Sequence, residues 1–135
     1  MNGISVSRRR LLLTAVAAAI LVASASASAE DSPKTVRLTI DYGDGMQKVF
    51  TALPWKAELT VLGALEAASK HPRGIKFTHR GSGASAFVTG IDDLKNEGRG
   101  RNWTYLVGDK RADKSAGVWE LNAGDAVLWR FGGED

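Results

Sequence analysis

Only one segment of residues 30–135 has helical periodicity, and it restricts the chain to folds in which strands cover a single helix. Thr60 reads as an N-cap, and Val61, Leu62, Ala64, Leu65 and Ala68 recur at helical spacing. His71-Pro72 ends the segment, because the residue before a proline is pushed out of the helical region. The spacing therefore predicts a helix over 60–69. Its apolar stripe needs a surface to cover, and the flanking segments read as strands.

Strand patterning is clearest at Thr35–Asp41. There Val36, Leu38 and Ile40 alternate with Arg37, Thr39 and Asp41, as in a strand with one buried face. Tyr42-Gly43-Asp44-Gly45 supplies turn residues, Gln47 to Thr51 reads as the returning strand, and Pro54-Trp55 breaks it. Further strands are expected over 75–78, 86–91, 103–107, 118–121 and 126–131. A charged loop is expected over 92–101, and a hairpin turn over 122–125 in which Gly124 takes positive φ. No long repeat and no linker divides this region, so one domain over 30–135 is expected.

The first 29 residues differ in kind. Arg8, Arg9 and Arg10 precede an apolar stretch from Leu11 to Ala23, and small residues lead to Ala27-Ser28-Ala29. This three-part pattern predicts a cleaved signal peptide over 1–29. An uncleaved anchor is the competing reading, but the stretch is short of the ~20 strongly apolar residues that a span requires. No membrane span is expected after cleavage. Ser7-Arg8-Arg9-Arg10-Leu11-Leu12 also resembles a twin-arginine signal, with Leu11 where phenylalanine is commoner; a Sec-type signal is the alternative. Either route predicts a periplasmic or secreted bacterial protein.

Charge follows the same division. The chain has 18 Lys and Arg residues against 15 Asp and Glu. Residues 1–29 hold three of the former and none of the latter, so the remainder is balanced at 15 of each. Without a positive surplus the long-range attraction to nucleic acid is missing, and no nucleic-acid partner is expected. The absence of cysteine excludes disulfides, thiolate metal sites and a cysteine nucleophile.

No catalytic constellation emerges. His71 and His79 lack metal-ligand spacing, Gly81-Ser82-Gly83-Ala84-Ser85 is not a nucleophile elbow, and Asp92-Asp93 sits among Lys95, Arg99 and Arg101 as a solvated loop would. No catalytic residue, no metal ligand and no enzymatic activity are expected. Asn102-Trp103-Thr104 fits a glycosylation sequon, read here as accidental in a bacterial chain.

Four stretches carry a family resemblance. Trp103-Thr104-Tyr105-Leu106-Val107-Gly108 is similar to the W-x-Y-x-V-N-G strand and turn of the transcobalamin-like C-terminal domain family, with Gly108-Asp109 in place of Asn-Gly. Leu121 to Phe131 resembles that family's closing L-x-x-G-D-x-V-x-W-x-Y hairpin. Thr60 to Leu65 resembles its T-V-L-D-A-L helix start, and Phe87 to Ile91 its central strand. The resemblance implies an α+β, β-grasp-like fold, a small mixed sheet packed on one helix. In transcobalamin and intrinsic factor this domain closes over one face of cobalamin while a larger helical barrel covers the other. No such barrel is legible in this chain.

The expected role is therefore an exported binding module for a small flat ligand, cobalamin by analogy, or for a glycan or protein surface. Its alternative is an interaction domain that docks on a separate helical-barrel or envelope protein. The candidate ligand-binding residues are Trp103, Tyr105, Trp119, Trp129 and Phe131, with 92–101 as a mobile rim. Trp103 and Tyr105 share a strand face, as do Trp129 and Phe131. On the sheet face away from the helix these rings would form an apolar platform. They also suit core packing, and alternation alone leaves open which pair faces outward.

Overall fold

The computed structural model describes residues 34–133, so the signal-peptide reading lies outside the described residues. Nine strands and helices follow in the order β1 (Thr35–Asp41), β2 (Gln47–Pro54), α1 (Val61–Ser69), β3 (Phe77–Arg80), β4 (Phe87–Ile91), β5 (Leu94–Lys95), β6 (Asn102–Val107), β7 (Lys110–Arg111) and β8 (Ala126–Gly132). A 3₁₀ turn, Gly83–Ser85, precedes β4. The fold class is α+β. A five-stranded mixed sheet has the order β2-β1-β8-β6-β7, and a second, antiparallel sheet has the order β3-β4-β5. The parallel β1–β8 pair lies at the centre of the first sheet, with antiparallel neighbours on both sides.

The helix forms where its stripe predicts. Thr60 Oγ1 accepts from the Gly63 N–H at 3.1 Å, and Val61, Leu62, Ala64, Leu65 and Ala68 are buried. A nine-residue helix is marginal alone in water, so burial against β1 and β2 stabilises it far more than the cap, which contributes about 1 kcal/mol. The segment read as a strand over 118–121 is not one. It makes a single bridge, Thr60 to Glu120, and lies across the start of α1. The Val61 N–H donates to the Trp119 carbonyl at 3.0 Å and the Leu62 N–H to the Ala116 carbonyl at 2.9 Å, so this segment satisfies donors that a helix start leaves free.

β2 runs three residues beyond its expected end. A register shift between Val36 and Leu38 pairs Leu38 with Phe50 but Val36 with Leu53. The bulge returns both Phe50 and Leu53 to the core although they are three apart, which hides the strand from a period-2 reading. The strand expected over 75–78 begins at Phe77 instead; Ile75 precedes it and is buried. β7, which the sequence reading missed, joins β6 through Gly108-Asp109, with Gly108 at φ 63°.

The inner face of the main sheet is continuous: Leu38 and Ile40 of β1 stand beside Val127 and Trp129 of β8, and Trp129 and Phe131 beside Tyr105 and Trp103 of β6. All of these are buried. One short helix cannot cover five strands. α1 lies over β1 and β2, while β4, β5 and residues 112–121 enclose the aromatic end.

Candidate functional site

The five aromatic candidates do come together, but inward. Tyr105 and Trp129 have ring centroids 4.9 Å apart, Trp103 and Phe131 5.1 Å, and Tyr105 and Trp119 5.8 Å. Trp103, Tyr105, Trp129 and Phe131 are each at most 5% exposed, and Trp119 is partly buried. The expected platform on the open face is therefore corrected. The outer face of β1, β6 and β8 carries Arg37, Thr39, Thr104, Leu106, Leu128 and Arg130. Nor is 92–101 a loose rim. It contains β5, and Asn96, Glu97 and Asn102 tie it down: Glu97 Oε1 accepts from the Arg101 N–H at 2.7 Å, and Asn102 Nδ2 donates to the Gly98 carbonyl at 2.8 Å. That bond also engages the side chain of the sequon.

What the aromatic cluster borders is a groove of about 790 Å³. Ala86, Phe87 and Val88 form one wall; Trp103, Thr104, Tyr105 and Leu106 form the other; Arg111 to Ala116 contribute the end, without Asp113. Trp129, Arg130, Gly132 and Gly133 complete it. β7 pairs only with Leu106 and Val107, so the rest of the β6 edge is unpaired by strand, and the groove follows it.

The polar groups of that edge can be assigned. The Trp103 N–H donates outward to Asn96 Oδ1 at 2.8 Å, and the Tyr105 carbonyl accepts outward from the Ala112 N–H at 3.1 Å. Because bonding direction alternates along an antiparallel strand, the Tyr105 N–H and Trp103 carbonyl also point away from β8, toward the groove. Ser115 Oγ lies 2.6 Å from the Ala86 carbonyl and closes that end.

Indole N–H groups show the sharpest contrast. Trp55 Nε1 donates to the Leu121 carbonyl and Trp103 Nε1 to the Leu94 carbonyl, both at 2.8 Å. Trp129 Nε1 is the one buried side-chain polar atom among the described residues without a partner. Leaving such a donor unsatisfied costs about 1–3 kcal/mol. Burial, with the nearby Asp113 charge, pushes the Tyr105 phenol up to about 12, and its hydroxyl donates to the Lys114 carbonyl at 2.6 Å.

Phe87, 47% exposed, is the large apolar side chain at the groove mouth, with the Arg80 guanidinium 5.0 Å from its ring centroid. Phe87, Arg111, Lys114 and Arg130 were not among the expected site residues. The outward half of the β4 and β8 alternation signals Phe87 and Arg130; nothing local signals Arg111 or Lys114. The two histidines do not join the site. His71 packs edge-on to Phe50 and accepts from the Arg73 N–H, while His79 stacks on Phe77. Among the described residues no group of three His, Asp or Glu side chains could hold a metal ion.

Residues 58–133, more than half of the chain, match a family model described as "Domain of unknown function (DUF4430)". The chain belongs to the DUF4430 family. No curated protein matches it in sequence. This DUF4430 chain is similar in fold to a "putative metal binding protein" from Ruminococcus gnavus ATCC 29149, at 17% identity and a TM-score of 0.60 over 76% of this chain and 99% of that one. It is also similar to haptocorrin, solved in complex with Cbi, at 20% identity and a TM-score of 0.61. That match covers 74% of this chain and 25% of haptocorrin. The likeness to haptocorrin is one of fold, in keeping with the fold that the motif resemblance implied, and the family of the chain is DUF4430.

Proposed function

We propose that this DUF4430 domain is an exported, non-catalytic binding module that takes a small flat ligand in the groove beside β6. The single observation that carries this reading is the groove itself, about 790 Å³ in volume and bordered by a stretch of β6 that no strand pairs. An unpaired strand edge beside apolar walls offers a ligand both backbone hydrogen bonds and burial. The likeness to haptocorrin in complex with Cbi adds support for small-molecule binding and makes a corrinoid the first candidate. The donor set does not fit a resident metal, since no suitable cluster occurs among the described residues.

The test is titration of the purified protein with cobinamide and with cobalamin, read by tryptophan fluorescence and melting temperature. Saturable quenching with a raised melting point supports the corrinoid; no change in either removes it as the ligand. Export is tested separately by the N-terminal mass of the protein recovered from cells, with cleavage after Ala29 expected. The interaction-domain alternative finds support in the haptocorrin match, which leaves most of that longer protein without a counterpart in this domain. A stable protein partner co-purifying from envelope extract would favour it over the small-ligand reading.

A further inference from the structure

We infer that the free edge of β2 takes up an extended acidic segment of a partner protein as an added strand. This edge lies across the main sheet from β6 and β7, so the inference is independent of the groove beside β6. Among the described residues β2 has β1 as its one strand partner. A cavity of about 500 Å³ runs along it, lined by Gln47 to Leu53 and, from outside the strand, by His71 and Arg73.

Hydrogen bonds at the ends of β1 fix which backbone groups face that edge. The Arg37 N–H donates toward β8, to the Asp125 carbonyl at 2.9 Å, and the Tyr42 N–H toward β2, to the Met46 carbonyl at 3.0 Å. Leu38 and Ile40 therefore bond across to Phe50 and Lys48. Alternation then turns the N–H groups of Gln47, Val49 and Thr51 outward, with the carbonyls of Gln47 and Val49. Such a row of unpaired donors and acceptors is a template for another strand. The usual guards stand aside from it. Pro54 and the bulge lie past Phe50, and Lys48 shares the inner face with Ile40, its ammonium 3.4 Å from Asp92. Val49, 42% exposed, stands on the outer face beside Thr39.

An added strand alternates in the same way. Side chains opposite Val49 stay on the outer face, while those opposite Lys48 and Phe50 enter the cavity. The formally charged residues lining it are both cations, Lys48 and Arg73. Among the described residues the ion pairs are Lys48–Asp92 and Arg101–Glu97, so Arg73 is not matched by a carboxylate there. His71 Nδ1 accepts from the Arg73 N–H, which leaves Nε2 to donate. Carboxylates at the inward positions of the added strand meet these groups. A second copy of the chain fits poorly, because β2 paired with itself brings the same cations face to face.

The experiment uses ¹⁵N-labelled protein and end-blocked peptides that alternate valine with glutamate or with lysine, read by backbone amide shifts and hydrogen exchange. The glutamate peptide is expected to shift the Gln47, Val49 and Thr51 amides saturably and to slow their exchange. The lysine peptide should bind at least about tenfold more weakly, as expected for like charges brought together. Methylating the amide nitrogens of the valines or those of the glutamates should abolish binding in one case and spare it in the other, since a strand turns every second amide to its neighbour. Arg73→Gln should weaken the glutamate peptide several-fold, and Arg99→Gln, outside the cavity, should leave it unchanged. Val49→Pro removes an N–H that the fold leaves free and should abolish binding; the methylated peptides carry the same test if that variant does not fold.

Equal binding of the glutamate and lysine peptides overturns the acidic partner, and equal binding of the two methylated peptides overturns strand pairing. A dimer of the free protein by sedimentation, with these amides already protected, overturns the inference in favour of a second copy. If no peptide moves the three amides, the edge is not a docking site. None of these results alters the reading of the groove beside β6, which the cobinamide titration tests on its own.

Discussion

The carboxamide of Asn96 stands where a strand is missing between β4 and β6: the Trp103 N–H donates to its Oδ1 at 2.8 Å, and its Nδ2 donates to the Val88 carbonyl at 2.9 Å. Its own backbone N–H donates to the Thr89 carbonyl at 2.9 Å. One side-chain amide thus acts as a peptide unit that joins the two sheets at one end of the groove. A carboxamide is the side chain suited to this, because it donates and accepts in one plane.

Asn96→Ala is therefore expected to lower stability by about 1–3 kcal/mol, since it strands the Trp103 N–H and the Val88 carbonyl. Asn96→Asp should be no better, because a carboxylate oxygen would face that carbonyl. Denaturant unfolding of both variants checks this; an unchanged midpoint for either would refute the bridging role.

A second clasp predicts acid sensitivity. Asp92, at φ 52°, accepts from the Tyr42 hydroxyl and from the Lys76 N–H, and pairs with Lys48 at 3.4 Å. Burial pushes its carboxyl up, but the Tyr42 bond, the Lys76 N–H and the Lys48 charge outweigh that and hold it below the usual range. A lowered folded value means that the contribution is complete above the ordinary aspartate range, about pH 4, and is lost as pH falls through the folded value. Asp92→Asn keeps the left-handed backbone accessible and should flatten this part of the stability profile. Melting curves between about pH 2 and 5 measure it.

Tyr105 gives the opposite limb. Its phenol is pushed up to about 12 by burial and then by Asp113. The neutral hydroxyl is thus favoured in the folded protein. Its contribution is complete below the ordinary tyrosine value of about 10 and falls as pH rises toward the folded one. Burial and the Asp92 contact push Tyr42 up as well, so tyrosinate absorbance should rise late for both residues, and Tyr105→Phe should remove the earlier of the two late steps and leave that of Tyr42.

At the β1–β2 turn, Gly43 has φ 78° and passes so close to β8 that a Cβ would run into the Phe131 carbonyl oxygen. Gly43→Ala should cost roughly 2 kcal/mol or more through left-handed strain and displaced backbone. Gly45→Ala, at φ 92° in open space, bears the strain alone and should cost less. Thermal melts of the two variants separate the effects.

The parts of the fold legible in the sequence were those governed by neighbours along the chain. β1 follows strict alternation, and α1 follows its N-cap and its 3.6-residue stripe, both within the expected spans. β2 past Thr51 was obscured by the bulge, and 118–121 by serving α1 rather than a sheet. The site was less legible. Alternation placed Trp103 with Tyr105 and Trp129 with Phe131, while strand register sets Arg111 and Arg130 beside β6 and the packing of distant segments adds Phe87 and Lys114 to the groove.

By itself the sequence determined which side chains share a strand face, where the one helix begins and stops, and that charge is balanced beyond residue 29. Local backbone geometry and side-chain type suffice for those. Only the tertiary structure decided that the rings turn inward, because α1 is too short to cover β6 and β8 and the second sheet closes over them instead. That same closure leaves part of the β6 edge without a strand partner and the Trp129 N–H unanswered, which no pattern along the chain records.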